Sequence, residues 1–287
     1  MRANTSLGVS RITVGALLCV GTVGVAHAQV SPSQALLNNT FVGSIGAFVV
    51  STDTKARLNG TSSTNSDIDF DHTFGKASDS TRGRADALWR ITPTHHLRFL
   101  YFDNTVDRSR AIDRNVEWGD YTFQAGAVVE SQVKFKIIEA AYEYAFMRRP
   151  DFELAGSLGV HYMDLQMRLS GVATLTNANG TVSQAAVATR EGSAPLPLPV
   201  IGVRAGWAVA PQWFLEGQGQ FFKAKIGDVD GRITDLRASA TWMFSQNLGI
   251  GMGYNRFITT ADVEKTSFNG QARIGYSGLQ LFATGTF

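Results

Sequence analysis

Residues 276–287 read YSGLQLFATGTF, and the last of them is a phenylalanine. Leu279, Leu281, Ala283, Gly285 and Phe287 fall on one side of an extended chain, with Gln280, Thr284 and Thr286 on the other. Side chains that alternate with period two are the mark of a strand with two unlike faces. Termini of soluble domains usually fray into polar residues. Here the terminal residue belongs to the apolar face, so an apolar surrounding has to receive it.

The opposite end points to a destination outside the cytoplasm. Residues 1–28 carry Arg2 and Arg11 but no acid, then an apolar run from Ile12 to Ala26, and close on Ala26-His27-Ala28. That is the layout of a secretory signal peptide, and a run of about 15 apolar residues is short of the roughly 20 that a spanning helix needs. Cys19 lies inside this leader, behind Leu18 and not behind the small residue of a lipoprotein site. Subtracting Arg2 and Arg11 from 26 Lys+Arg leaves 24 against 24 Asp+Glu. The mature chain therefore has no basic excess to suggest nucleic acid, and no cysteine for a disulfide, thiolate metal site or nucleophile.

Alternating segments recur at 41–51, 81–92, 96–104, 132–146, 152–168, 197–209, 213–224, 232–244, 247–258 and 268–287. Ala85, Ala87, Trp89 and Ile91 oppose Arg82, Arg84, Asp86 and Arg90; Ile138, Ala140, Tyr142 and Tyr144 oppose Glu139, Ala141 and Glu143. A sandwich would alternate as well. Connector length separates the two. Tight turns near 93–95, 147–151, 210–212 and 245–246 alternate with long polar connectors at 52–80, 104–131 and 169–196 and shorter ones at 225–231 and 259–267. Trp89, Tyr144, Trp207, Trp213 and Trp242 cluster near the tight turns, as an interfacial girdle does. The expected fold is all-β, a closed antiparallel up-and-down transmembrane β-barrel of about ten strands, with eight or twelve as alternatives. It divides into a leader (1–28), a periplasmic N-terminal segment (29–40) and the barrel (41–287). One long final strand with a bulge at Gly278 keeps the count even.

With its leader, its up-and-down strands and its closing GLQLFATGTF, the chain resembles bacterial outer-membrane barrels of the small OmpA/OmpW-like kind. The resemblance implies Gram-negative outer-membrane location, contact with membrane lipid and lipopolysaccharide, a monomeric state, no cofactor, and recognition of Phe287, Leu281 and Leu279 by the barrel-assembly machinery.

The alternation predicts an inward set of Arg82, Arg84, Asp86, Arg90, Arg98, Glu139, Glu143, Glu153, Arg204, Glu216, Asp235, Arg237 and Arg273. An Arg or Lys on the lipid face at the bilayer midplane costs ~2–4 kcal/mol, which favours the lumen. These residues serve either a plug of ion pairs or a narrow pore of weak selectivity, and few strands leave little room, which favours the plug. In DIDFDH, residues 67–72, Asp67, Asp69 and Asp71 are weak calcium candidates. Together with His72 they resemble the rim of an omptin-type protease, although a second acidic pair cannot be placed. A solvated acidic loop is the plainer expectation. GDVDG (227–231) reads as a hairpin turn, and VEWGDYTF (116–123) as a hydrophobic cluster within a loop. His95 and His96 belong to a turn. His161 lies about 13 Å from Ser157 along its strand, too far for a nucleophile–base pair. A structural or narrow-pore role therefore leads. An outer-membrane hydrolase of protease or lipid-modifying type, and a surface adhesin or ligand-binding barrel, stand as alternatives.

Overall fold

A computed structural model describes residues 30–61, 63–177, 179–265 and 268–287; the leader expected over 1–28 lies outside them. In chain order the elements are α1 (Pro32–Asn38), β1 (Phe41–Leu58), β2 (Ile68–Asp69), α2 (Phe70–Phe74), β3 (Ser80–Arg90), β4 (His95–Ala111), β5 (Val116–Trp118), β6 (Tyr121–Phe123), β7 (Val128–Arg148), β8 (Phe152–Leu175), β9 (Ala186–Ala210), β10 (Trp213–Ile226), β11 (Val229–Met243), β12 (Leu248–Lys265) and β13 (Phe268–Thr286). Ten of the strands close a ring through antiparallel pairing, β1–β3–β4–β7–β8–β9–β10–β11–β12–β13 and back to β1. The closing ladder runs from Val42↔Thr286 to Leu58↔Gly270, and Phe41 and Phe287 exchange both backbone hydrogen bonds at 2.9 Å. Closure removes the free edges that an open sheet would expose.

Four short connections, at residues 91–94, 149–151, 211–212 and 244–247, define the turn end of the barrel. The other end carries the three long connections, 59–79, 112–127 and 176–185, and is the loop end. Much of what reads as loop in 52–80, 104–131 and 169–196 is strand: β1 continues to Leu58, β4 to Ala111, and β8 and β9 pair from Phe152↔Trp207 to Ala173↔Ala186. The β10–β11 turn is Gly227-Asp228, with Gly227 at φ 58°, so Asp230 and Gly231 lie inside β11 and not in the turn.

β9 parts from β10 above Ile201, yet its ladder to β8 is unbroken. There the sequence is PLPLP, residues 195–199. Residues two apart direct their N–H to the same neighbour, so three prolines at that spacing leave one edge without donors. A strand tolerates this only where that edge is unpaired.

The polarity of the wall inverts along each long strand. Near the turn end of β7, Ile138, Tyr142 and Tyr144 are exposed outward, and Glu139 and Glu143 are buried inside. Nearer the loop end, Val129, Val133, Phe135 and Ile137 are buried inside, and Glu130, Lys134 and Lys136 face outward. The strand is continuous across the change. What changes is the surrounding: hydrocarbon outside at one level, water outside at the next. Tyr101, Ile138 and Tyr162, adjacent in register on β4, β7 and β8, mark the last apolar row of this belt. Trp89, Tyr144, Trp207, Trp213 and Trp242 are all exposed on the outer wall near the turn end, as a girdle requires.

Candidate functional site: the filled lumen

Three layers occupy the interior. At the turn end lies α1, which the sequence reading treats only as part of a periplasmic segment. Its start is written as Ser31-Pro32-Ser33-Gln34, a capping box with both reciprocal hydrogen bonds present and proline at the first helical position. Leu36 and Leu37 bury against Phe214 and Met243. Two arginines of the wall hold the helix by its last carbonyls: Arg90 donates to Leu36 O and Arg148 to Leu37 O, each at 2.7 Å.

Above the helix is an ionic layer. Arg204, 1% exposed, reaches three carboxylates, with Nε at 2.8 Å from Glu143, Nη2 at 2.6 Å from Glu153 and Nη1 at 3.4 Å from Glu216. Glu143 also accepts from Arg98 at 2.8 Å, and Glu153 lies 3.1 Å from Arg148 and 3.8 Å from Arg90. Across the lumen Arg237 bridges Asp235, Glu139 and Asp86, and Arg84 pairs with Asp86 at 3.1 Å. Six guanidinium groups thus meet six carboxylates, a neutral set in which every carboxylate has at least one partner. Neutral amides complete it: Gln220 donates to Glu139, and Asn255 accepts from Arg84 and donates to Asp235. A cavity of about 110 Å³ remains beside Arg84, Arg237 and Gln280.

The third layer is apolar, and the sequence reading, which assigns charge to the lumen, misses it. Phe48, Phe102, Phe135, Phe257 and Tyr276, from β1, β4, β7, β12 and β13, form a continuous aromatic packing with ring centroids 4.7–6.0 Å apart. Met163, Leu165, Leu196 and Leu198 extend it. The loop end adds Phe70 and Phe74 of α2 and Trp118 of the β5–β6 hairpin; VEWGDYTF is thus a hydrophobic cluster that joins this interior.

Of the thirteen residues expected inside, twelve point inward. Arg82 sits at the edge of the set, bonded to Asn104 and to Thr105 O. Arg273 is the correction: it is exposed on the outer wall, because β13 runs through Gly278 in unbroken register without a bulge. Gly278 has another reason to be glycine, since a Cβ there would stand 1.9 Å from Val49 O.

The acidic loop does not converge. Asp67 pairs with Arg57 at 3.3 Å, Asp71 with Arg108 at 2.6 Å, and Asp69 with Lys55 at 2.9 Å. Asp69 also caps α2 by accepting from the His72 N–H. Burial pushes the Asp69 carboxyl upward, but the hydrogen bonds from Lys55 and His72 outweigh it and hold the group below the usual carboxylate range. Each carboxylate is directed to its own base, leaving no shared cation position. His161 stacks on Phe257 and contacts Gln220 at 3.0 Å and Glu139 at 3.3 Å, deep in the ionic layer. Glu139, His161 and Asp235 lie close enough to share a metal ion, but Arg237 already stands between the two carboxylates. His95 sits at a turn against Tyr142 and Tyr144.

A closed ten-stranded ring with an apolar outer belt, an aromatic girdle and an ionic interior defines a transmembrane β-barrel of the bacterial outer-membrane type. Solved structures of that type superpose on it. The outer membrane protease OmpT of Escherichia coli aligns at TM-score 0.57 and 11% identity, covering 87% of this chain and 97% of OmpT. The P. putida toluene transporter TodX aligns at 0.35 and 8%, covering 90% and 93%, and Ail of Yersinia pestis at 0.31 and 7%, covering 84% and 97%. At such identities the likeness to OmpT is one of fold. No protein-family model matches the chain. No curated protein matches it either.

Proposed function

We propose that the chain is a non-conducting outer-membrane scaffold: a barrel whose lumen is a structural core and whose loop end stands rigidly above the membrane. In this reading the leader is removed after residue 28 and the turn end faces the periplasm. The outer wall meets membrane lipid and lipopolysaccharide, and the barrel inserts as a monomer after its C-terminal strand, with Leu279, Leu281 and Phe287 outward, is read by the assembly machinery.

The observation that carries this reading is the filling of the interior. A water-filled pore has no use for five packed aromatic rings and a ring of leucines across its path. The inversion of wall polarity supports it too. Beyond the lipid level β4 continues for nine residues, from Asp103 to Ala111, roughly 30 Å at strand rise, and its neighbour β7 turns Val129, Val133, Phe135 and Ile137 inward there as a soluble barrel would. An enzymatic reading finds no support in the rim, since Asp67, Asp69 and Asp71 are engaged with different bases.

Planar-bilayer recording of the refolded mature chain tests the proposal. Inserted protein, verified by its heat-modifiable gel mobility, should stay silent. Discrete conductance steps that respond to neutralising Arg84 or Glu143 would overturn it and restore the narrow pore.

A further inference from the structure

We infer that the outer wall of β10–β13 carries a binding site for the phosphorylated headgroups of outer-leaflet lipid, formed by Lys223, Arg232, Arg273 and Arg256. The inference rests on the outer-membrane placement proposed above.

Register brings the four residues together although they lie 50 residues apart in sequence. Lys223 is opposite Arg232; Arg232 is opposite Thr260; Thr260 is opposite Arg273. Three cations thus share one outward row across four strands spaced about 4.8 Å apart. All of them are exposed, and among the described residues none is in an ion pair. On β10–β13 the next outward rows toward the turn end hold Phe221, Thr234, Ile258 and Gly275, then Gly219, Leu236, Arg256 and Ser277, with no carboxylate. On the loop side the next outward row holds Lys225, Asp230, Asp262 and Gln271, and Asp53 of β1 lies diagonal to Arg273, so the acids stand above and beside the row and none between it and the belt. The row therefore lies directly against the apolar belt, whose edge here is Phe221, Leu236 and Tyr254.

The opposite wall shows that this is not the general condition of the outer surface. There Lys136 lies in register between Asp103 and Asp164, and Arg168 pairs with Glu191 at 3.8 Å. Lys136 thus has acids on both sides in its own row, whereas the row of Lys223, Arg232 and Arg273 contains no acid on β10–β13. Arg256 sharpens the point. It faces outward beside Leu236 and one outward position above Tyr254, where an unpaired guanidinium borders hydrocarbon. A long stem lets its head reach toward the headgroup level, and a phosphate there supplies the missing counter-charge. Several cations in a row, at the depth where lipid phosphates lie, bind a multiply phosphorylated headgroup better than a single phosphate.

Native mass spectrometry of the folded, detergent-solubilised chain tests this, with diphosphorylated and dephosphorylated lipid A as probes. Wild type should retain the diphosphorylated form selectively, and millimolar inorganic phosphate should not displace it. The triple variant Lys223→Gln/Arg232→Gln/Arg273→Gln should bind about a hundredfold more weakly, compounding roughly fivefold per cation near an anionic surface. Lys134→Gln/Lys136→Gln on the opposite wall should bind as wild type does. Equal retention by wild type and the triple variant, or displacement by inorganic phosphate, overturns the site. Insertion into phosphatidylcholine vesicles is scored separately. A chain that inserts in no vesicle refutes the barrel reading, whereas one that inserts but ignores the phosphates refutes only the lipid site.

Discussion

Replacing Arg204 by Met separates a packed lumen from a wet one by magnitude alone. The substitution keeps the apolar stem and removes the guanidinium that touches Glu143, Glu153 and Glu216. Glu143 and Glu216 would keep Arg98, and Glu153 would keep Arg90 and Arg148, so the six-to-six balance becomes five against six. Because Arg204, Glu143 and Glu153 are each 1% exposed or less, the surplus carboxylate has no water to turn to. Removing one partner from a buried ion pair costs about 3–5 kcal/mol. In a hydrated channel the same pair would be worth about 0–1 kcal/mol, as it is on a surface. Urea unfolding in lipid vesicles measures the difference. Trp89, Trp207, Trp213 and Trp242, exposed on the outer wall, report through emission as they pass from lipid to water. A loss of about 3 kcal/mol or more is expected. A loss under about 1 kcal/mol, with the slope of the transition unchanged, would mean that water reaches the ionic layer and would refute the plug.

Trp118→Ala should destabilise the chain by about 3–5 kcal/mol and open the loop end first, because Trp118 is fully buried and joins Phe70 and Phe74 to the β5–β6 hairpin; limited proteolysis should nick residues 59–79 at least several times faster. Asp69 predicts a pH dependence at the same place. Its carboxyl is held below the ordinary range, so its contribution is complete above about pH 4 and is lost as pH falls through the lower folded value. Pepsin cleavage near α2 should therefore rise only below about pH 4, and Lys55→Gln should move that rise to higher pH. Phe287→Ala should reduce the amount of assembled barrel recovered from cells severalfold, while the refolded variant, whose terminal backbone bonds to Phe41 persist, unfolds close to wild type.

The ten strands are legible in the sequence because each crosses the bilayer with one face in hydrocarbon, and hydrocarbon enforces alternation strictly. Their true lengths are not, and β13 shows why. From Leu279 to Phe287 the odd-numbered residues are apolar and face lipid; from Ala272 to Tyr276 the even-numbered ones are apolar and face the interior. Read along the sequence, that change of phase looks like an inserted residue, and a bulge at Gly278 turns Arg273 inward. In the structure no residue is inserted; the strand leaves the membrane and its apolar face becomes its inner one. FKII in β7 carries the same signature, with Phe135 and Ile137 inside and Ile138 outside. Two apolar neighbours at a change of phase thus mark the membrane surface, a signal present in the sequence but indistinguishable there from a bulge. α1 is not legible for a different reason. Its capping box is explicit at Ser31 and Gln34, but seven residues are too few to announce a helix without the barrel mouth that receives Leu36 and Leu37.

Recognising that inversion changes what the interior charges mean. If the barrel ended at the membrane surface, arginines and carboxylates along its inner wall would be the lining of a passage. Since the wall continues outward with an apolar core, the ionic layer lies between two closed ends, α1 below and the aromatic layer above. Charges confined in that way cannot select a passing ion, but they can fix the wall. Apart from Arg84, whose carboxylate Asp86 is on its own strand, each arginine reaches a carboxylate on another strand, as Arg204 of β9 does to Glu143 of β7 and Glu153 of β8, or Arg237 of β11 to Glu139 of β7 across the lumen. Such links resist shear between strands inside the bilayer, where apolar packing against fluid lipid on the outside gives no register. The core beyond the membrane performs the same task by burial. One barrel thus uses ion pairs where its outside is oil and hydrocarbon where its outside is water, and in both halves the interior is made of whatever the exterior is not.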